Sequence, residues 1–267
     1  MKHLTLVISL LLVFIISSVL PVYAQEAPAG QLFVIHEDVV TPAKAQKYEQ
    51  AAKNLKSMLE ENQINSMSYQ AANMMDFTYI YITPLNGVSD VETMNAGFAE
   101  LEGKMGGANF KETMDKFTDC YDSHRDYLIR SRPDLSYKPE YGNTEDMNYR
   151  IWEIYYIYPG KEAEMEQNTK KWVALQKKHN IEEGYRMYVG EMGTNMPVIV
   201  RVRSAKSFAD FFTPPQQVNE AFAGEAEKLW SETWSIVRKF EQKMGRMRPD
   251  LSYQPKAADD TGEADKR

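Results

Sequence analysis

The hexapeptide Arg132–Tyr137, with the sequence Arg-Pro-Asp-Leu-Ser-Tyr, recurs letter for letter at Arg248–Tyr253, an offset of 116 residues (248 − 132). In both copies a proline follows two residues after the tyrosine, at Pro139 and Pro255. A second series of matches lies upstream at an offset of 117, where Pro42, Lys44, Glu49, Gln50, Lys53 and Ile64 correspond to Pro159, Lys161, Glu166, Gln167, Lys170 and Ile181. Two series in the same order at nearly the same offset predict an internal duplication.

Each copy has the same predicted order of elements. Runs of β-branched and aromatic residues predict opening strands at 31–40 and 149–158, each closed by a proline. In the first copy the apolar residues that follow advance by three or four positions, which is typical of a helix with one buried face. Two further strands are predicted in each copy, at 66–72 and 77–83 and again at 185–190 and 197–203.

A second long helix is then predicted at the end of each copy. Its apolar stripe comprises Phe110, Met114, Phe117, Tyr121, His124 and Leu128 in the first copy, and Ala226, Trp230, Thr233, Val237, Phe240 and Met244 in the second. The prolines of the hexapeptide would end these helices. The leucine and tyrosine that follow would then enter a closing strand.

The order strand, helix, strand, strand, helix, strand is that of the split βαβ unit, so the predicted class is α+β with two tandem ferredoxin-like units. Helices cover one face of such a sheet, and a tandem copy can cover the other. Over residues 31–255 the chain resembles the dimeric α+β barrel superfamily, which includes small cofactor-free monooxygenases, stress-responsive barrel domains and haem-handling relatives. The resemblance implies two sheets packed face to face as an intrachain barrel. It implies no activity, because it rests on element order and duplication.

The N-terminus has the pattern of an export signal. A basic start is followed by an apolar run over 4–20 and by small residues ending at Ala24. We therefore expect residues 1–24 to be a cleaved signal peptide, with a periplasmic or secreted product. Residues 25–30 are predicted to be a linker, 31–145 and 146–255 the two barrel repeats, and 256–267 a disordered tail.

Composition excludes several classes of partner. The chain has 31 Lys and Arg against 38 Asp and Glu, whereas nucleic acids and anionic membranes require clustered positive charge. Neither is expected as a partner after signal cleavage. Cys120 is the single cysteine, so no internal disulfide can form.

Sequence motifs for common chemistries are missing. The sequence contains no phosphate-binding Gly-rich loop, no nucleophile elbow and no His-Glu-x-x-His pair. Its few histidines are widely spaced, so no metal site is predicted. No cofactor is predicted from the residues, although the family resemblance leaves haem open.

Candidate ligand-binding residues are polar side chains on the predicted strands and one histidine of the second helix. They are His36, Tyr79, Tyr81, His124, Glu153, Arg201 and Arg203. On the third strands the tyrosines and arginines alternate with Ile80, Ile82, Val198, Val200 and Val202. If the aliphatic face packs on the helices, the polar face points between the two sheets. Solvated or mutually bonded side chains without a ligand remain an equal alternative.

Two hypotheses for function follow. In the first, the protein is an exported binding or interaction module for a small hydrophobic or acidic ligand. In the second, it is a small barrel enzyme, monooxygenase-like or haem-handling, that acts on a hydrophobic substrate between the sheets or between sheet and helices. The first is preferred because no acid, base and nucleophile set can be assigned catalytic roles, and either a monomer or a homodimer is compatible with it.

Overall fold

A computed structural model describes residues 30–93, 95–213, 222 and 224–255. The predicted signal peptide and the predicted C-terminal tail lie outside these residues. Among the helices in the described ranges, none combines the length and the apolar character that crossing a bilayer requires.

The elements before residue 132 are four strands and three helices. They are β1 (Leu32–Val40), α1 (Ala45–Glu61), β2 (Gln70–Met74), β3 (Thr78–Leu85), α2 (Ala96–Met105), α3 (Gly107–Asp115) and β4 (Tyr121–Ser131). Pro42 opens a 3₁₀ turn that leads directly into α1, and its fixed φ suits that first turn. The helix then buries Tyr48, Ala51, Ala52, Leu55 and Leu59, as the apolar spacing predicts.

The elements after residue 148 repeat this order. They are β5 (Tyr149–Ile157), α4 (Glu162–Lys178), β6 (Tyr185–Gly190), β7 (Val198–Ala205), α5 (Phe208–Phe212), α6 (Glu225–Ile236) and β8 (Val237–Met247). The β6–β7 hairpin pairs Val189 with Ile199, and its connection contains Gly193 at φ +84°.

All eight strands close into one barrel in the order β1-β3-β2-β8-β5-β7-β6-β4. Four neighbouring strands come from residues before 132 and the other four from residues after 148. The two sets join twice, where Ala72 of β2 pairs with Met247 of β8 and where Arg130 of β4 pairs with Val189 of β6. The predicted α+β class and the barrel are confirmed.

The helix predicted over 110–128 is wrong in its second half. The chain leaves α3 at Asp115, turns through Asp119 at φ +60°, and then forms β4, where Tyr127 and Ile129 point into the barrel. Likewise, α6 ends at Ile236 and β8 follows at once. The apolar spacing of the helix continues into β4 by coincidence, because residues four apart also lie on one face of a strand.

Consequently, the repeated hexapeptide follows the closing strands and does not precede them. Pro133–Leu135 forms a 3₁₀ turn after β4, and Leu135 and Leu251 are fully buried. Arg248 is bound by Glu49 of α1 at 2.8 Å and by Asp250 at 2.8 Å, and its guanidinium lowers the pKa of Asp250 from 3.8 to about 2. The motif therefore anchors the end of each closing strand to a helix.

Candidate functional site

The alternation of the strands places all seven predicted residues on the face that meets the helices. Tyr81 contacts Tyr48 of α1, and Arg201 lies over Trp230 of α6. The prediction that the tyrosines and arginines point between the sheets is therefore wrong. The aliphatic faces of β3 and β7 line the interior of the barrel instead. Alternation shows which side chains share a face, but it does not show which face the helices cover.

Three of these residues meet on the helix-facing side of β1, β3 and β4. His36 lies on β1 and His124 on β4, with ring centroids 5.7 Å apart, and the ring of Tyr81 is 6.1 Å from that of His36. Asp38 lies directly opposite His124 in the strand register. We call His36, Asp38 and His124 the histidine cluster.

Hydrogen bonds fix the inner side of the histidine cluster. The ring nitrogens of His36 lie 3.2 Å from Asp38 Oδ1 and 2.8 Å from Asp126 Oδ1. The hydroxyl of Tyr48 donates to Asp38 Oδ2 and lies 3.0 Å from the hydroxyl of Tyr81. Burial alone would lower the pKa of His36, but the two carboxylates raise it to about 9.

His124 has a different place from the predicted one. It was expected on the apolar stripe of a helix, where its partner in the other copy is Phe240, yet it is exposed on β4. Its solvent-facing position leaves one side of the histidine cluster open. Because the imidazole of His124 is exposed, it needs no hydrogen-bond partner inside the protein.

The remaining predicted residues form two closed groups. Glu153 is buried between Arg201 and Arg203, and although burial would raise its pKa, the two guanidinium groups lower it. Arg201 also packs on the rings of Tyr185 and Trp230. Tyr79 donates to Glu49 at 2.7 Å and so belongs to the Arg248 network. Such contacts within the protein indicate a structural role for these four residues.

The barrel surrounds a cavity of about 1110 Å³ that is partly open to solvent. The sequence predicts a space between the sheets, but with polar walls. Its walls carry mainly apolar side chains from most of the strands, among them Phe33, Ile35, Ile82, Ile129, Trp152, Ile154, Val200, Val202 and Met247. The alternation of Trp152 and Ile154 with the buried Glu153 was the available signal. The prediction exchanged the two faces of the strand and so assigned the polar face to the interior of the barrel.

Two groups of polar side chains also face this cavity. Glu37 is buried and accepts hydrogen bonds from Arg125 and Tyr127 at 2.7 Å each, which accounts for its charge. Arg150 and Arg186 face the cavity from β5 and β6. Burial, followed by repulsion from Arg186, lowers the pKa of Arg150 to about 10.

The segment between β4 and β5 covers the cavity beside these arginines. Gly142 has φ +83°, and a β-carbon there would lie 2.2 Å from Cβ of Ser204. Only glycine fits this approach without strain. The carbonyl oxygens of Met147 and Tyr149 and the side chain of Asn143 accept the hydrogen bonds of the two arginines.

No protein-family model and no curated protein matches this sequence. Solved structures do resemble the fold. An anthrone oxidase-like protein has a TM-score of 0.51 at 13% identity, over 83% of this chain and 93% of that one. A chlorite dismutase variant from Candidatus Nitrospira defluvii has a TM-score of 0.50 at 9% identity, over 84% of this chain and 93% of that one. These neighbours are dimeric α+β barrel proteins, and identities this low show the fold alone.

Proposed function

We propose that this protein with a dimeric α+β barrel fold binds an apolar small molecule with an anionic end inside the barrel. The observation that carries the proposal is the cavity of about 1110 Å³ with its apolar walls. Small-molecule sites usually occupy about 300–1,000 Å³ and combine apolar walls with a few polar groups. The barrel cavity is slightly larger than this range and has this composition.

Arg150 and Arg186 indicate the anionic end. Among the described residues, their hydrogen bonds go to backbone carbonyls and to Asn143, and neither forms an ion pair with a carboxylate. Two guanidinium groups that repel each other beside an apolar cavity are stabilised by a bound anion.

Trp152 provides a second polar contact for the same ligand. Its side chain lines the cavity and is 7% exposed, and its Nε1 group is buried without a hydrogen-bond partner in the described part of the chain. A buried donor left unpaired costs about 1–3 kcal/mol, so an acceptor on the ligand would recover that free energy.

A small enzyme acting on the bound molecule is the second candidate. The observation in its favour is the buried Glu37 with Arg125 and Tyr127, since these polar groups touch the same cavity. Mass spectrometry and an absorbance spectrum of the native protein from its host distinguish the two functions. An unchanged ligand supports binding, whereas a chromophore or a mixture of substrate and product supports catalysis.

An internal duplication and export of the chain are two further parts of the proposal. Both halves have matching strand orders and carry the repeated hexapeptide, which supports a tandem duplication of one ferredoxin-like unit. The pattern ending at Ala24 supports export, so the mature product is expected to begin at or near Gln25. N-terminal sequencing measures this, and an intact Met1 on a membrane-bound product would contradict it.

The anionic end of the ligand can be tested with dodecanoate and dodecanol, a pair of probes that differ in their polar end. We expect Arg150→Met to weaken dodecanoate binding by roughly tenfold to a hundredfold, because a hydrogen bond to a charged group contributes about 1.5–3 kcal/mol. Dodecanol binding is expected to stay unchanged. Isothermal titration calorimetry measures both affinities.

Two further variants separate the cavity from the surface. Val200→Trp places a large ring in the lumen and is expected to weaken both probes, whereas Arg246→Met removes an exposed arginine outside the cavity and is expected to weaken neither. Equal binding of both probes by the parent and by Val200→Trp would place the ligand elsewhere. Arg150→Met that binds dodecanoate normally would remove the anionic end from the proposal.

A further inference from the structure

The histidine cluster lies on the opposite side of the sheet from the barrel cavity, so the proposed ligand does not explain it. One ligand atom from each of His36, Asp38 and His124 lies within 4.8 Å of the other two. A zinc-like ion with bonds of about 2.0–2.2 Å needs tetrahedral ligand atoms roughly 3.3 Å apart. The separation of 3.2 Å between His36 Nε2 and Asp38 Oδ1 already meets this requirement.

Strand pairing places the third ligand, His124, beside the other two. His124 is exposed, and its backbone lies opposite that of Asp38 in the β1–β4 register. His36 and Asp38 are two residues apart on one strand and therefore share a face. The backbone that carries the three side chains is thus fixed by strand pairing.

Partners for an outer coordination layer are also in place. Asp126 Oδ1 lies 2.8 Å from His36 Nδ1, which leaves Nε2 as the metal-binding nitrogen. Tyr48 donates to Asp38 Oδ2, which leaves Oδ1 for the ion. Metal-binding histidines usually donate their second ring nitrogen to a carboxylate or carbonyl, and such partners fix the orientation of the ligand.

The other half of the chain offers a comparison. Where Asp38 faces His124 across β1 and β4, Tyr155 faces Phe240 across β5 and β8. An aromatic pair packs at that place, with ring centroids 4.9 Å apart. A set of two imidazoles and one carboxylate therefore occurs once among the described strands.

We propose that His36, Asp38 and His124 bind one divalent transition-metal ion. Two imidazole nitrogens and one carboxylate oxygen suit Zn²⁺, Co²⁺ or Fe²⁺, and they leave open positions on the ion. The exposed side of His124 gives water access to these positions. The site is separate from the barrel cavity and does not depend on what the cavity holds.

Untagged protein, treated with a chelator and then dialysed free of it, is titrated with Zn²⁺ by calorimetry and with Co²⁺ by absorbance. The parent is expected to bind one equivalent of each. His124→Phe, which introduces the residue found at Phe240, is expected to weaken binding at least tenfold. Asp126→Asn is expected to weaken binding by roughly 10–100-fold, as other losses of an outer partner do.

His179→Gln is the matched control, because His179 is another imidazole beside a carboxylate, that of Glu225. It is expected to bind both metals as the parent does. His124 is exposed, so the His124→Phe variant is expected to fold with a nearly unchanged melting temperature. Failure of the parent to bind, or equal binding by His124→Phe and the parent, would overturn the proposal.

Discussion

A chain that ends at residue 145 is expected not to fold as a monomer. Residues 30–145 contribute β4, β1, β3 and β2, and without the other half both outer strands lose their partners. The cavity-facing side of this sheet, with Ile35, Ile80 and Ile129, also becomes exposed. Each 100 Å² of apolar surface returned to water costs about 2.5 kcal/mol, while whole domains are stable by about 5–15 kcal/mol.

Size-exclusion chromatography with light scattering and a thermal melt measure this outcome. We expect either an unfolded chain or a dimer in which two copies of the half close a barrel. Residues 146–255 serve as the second arm and residues 30–255 as the folded control. A sharply melting monomer of either half would show that the two sets of strands are independent.

Tyr253→Ala is expected to destabilise the protein by about 3–5 kcal/mol, the usual cost of deleting a large buried aromatic side chain. Tyr253 is 2% exposed, and its ring packs among Leu55, Leu59, Ile64, Tyr69 and Leu101. Its hydroxyl donates to the carbonyl oxygens of Ile64 and Leu59 where α1 ends. Tyr253→Ala therefore removes the packing of the ring and also the donor that serves two buried carbonyl oxygens.

Urea denaturation of three variants separates these contributions. Tyr253→Phe keeps the ring and is expected to cost about 1–3 kcal/mol, because the buried carbonyls lose their donor. Tyr137→Ala, at the other hexapeptide, is expected to match Tyr253→Ala, since Tyr137 donates to Ile181 at 2.8 Å in the same way. Tyr158→Ala is the exposed control and is expected to change stability by less than about 0.5 kcal/mol. An unchanged free energy of unfolding in Tyr253→Ala would contradict a structural role.

Much of the fold follows from local patterns. The β-branched and aromatic runs at β1 and β5 and the spacing of Tyr48, Leu55 and Leu59 identify elements whose apolar residues are continuous. β4 was missed because its exposed part, from Asp122 to Asp126, carries five polar residues in succession. A strand with so few apolar residues is recognised by its partners in the barrel, and those partners are far away in sequence.

The residue types of the candidate site could be predicted from the sequence, but their arrangement in space could not. His36, Tyr81 and His124 are among the polar residues on the strands, but their meeting depends on a register in which His124 faces Asp38. The cavity depends on which face of each strand turns inward, and this choice is made by the closure of the whole barrel. Arg150 and Trp152 were therefore not recognised as neighbours of a cavity.

All eight strands of the barrel belong to one polypeptide, and this has a consequence for how its interior can change. In a barrel closed by two identical subunits, every substitution appears twice and must be tolerated in both places. Here a substitution appears once, so one wall can acquire a charge while the opposite wall stays apolar. Arg150 and Phe33 lie at corresponding places of β5 and β1, and both line the cavity. A lumen with an arginine at one of two corresponding places and a phenylalanine at the other is thus available to a single chain and unavailable to a symmetric pair.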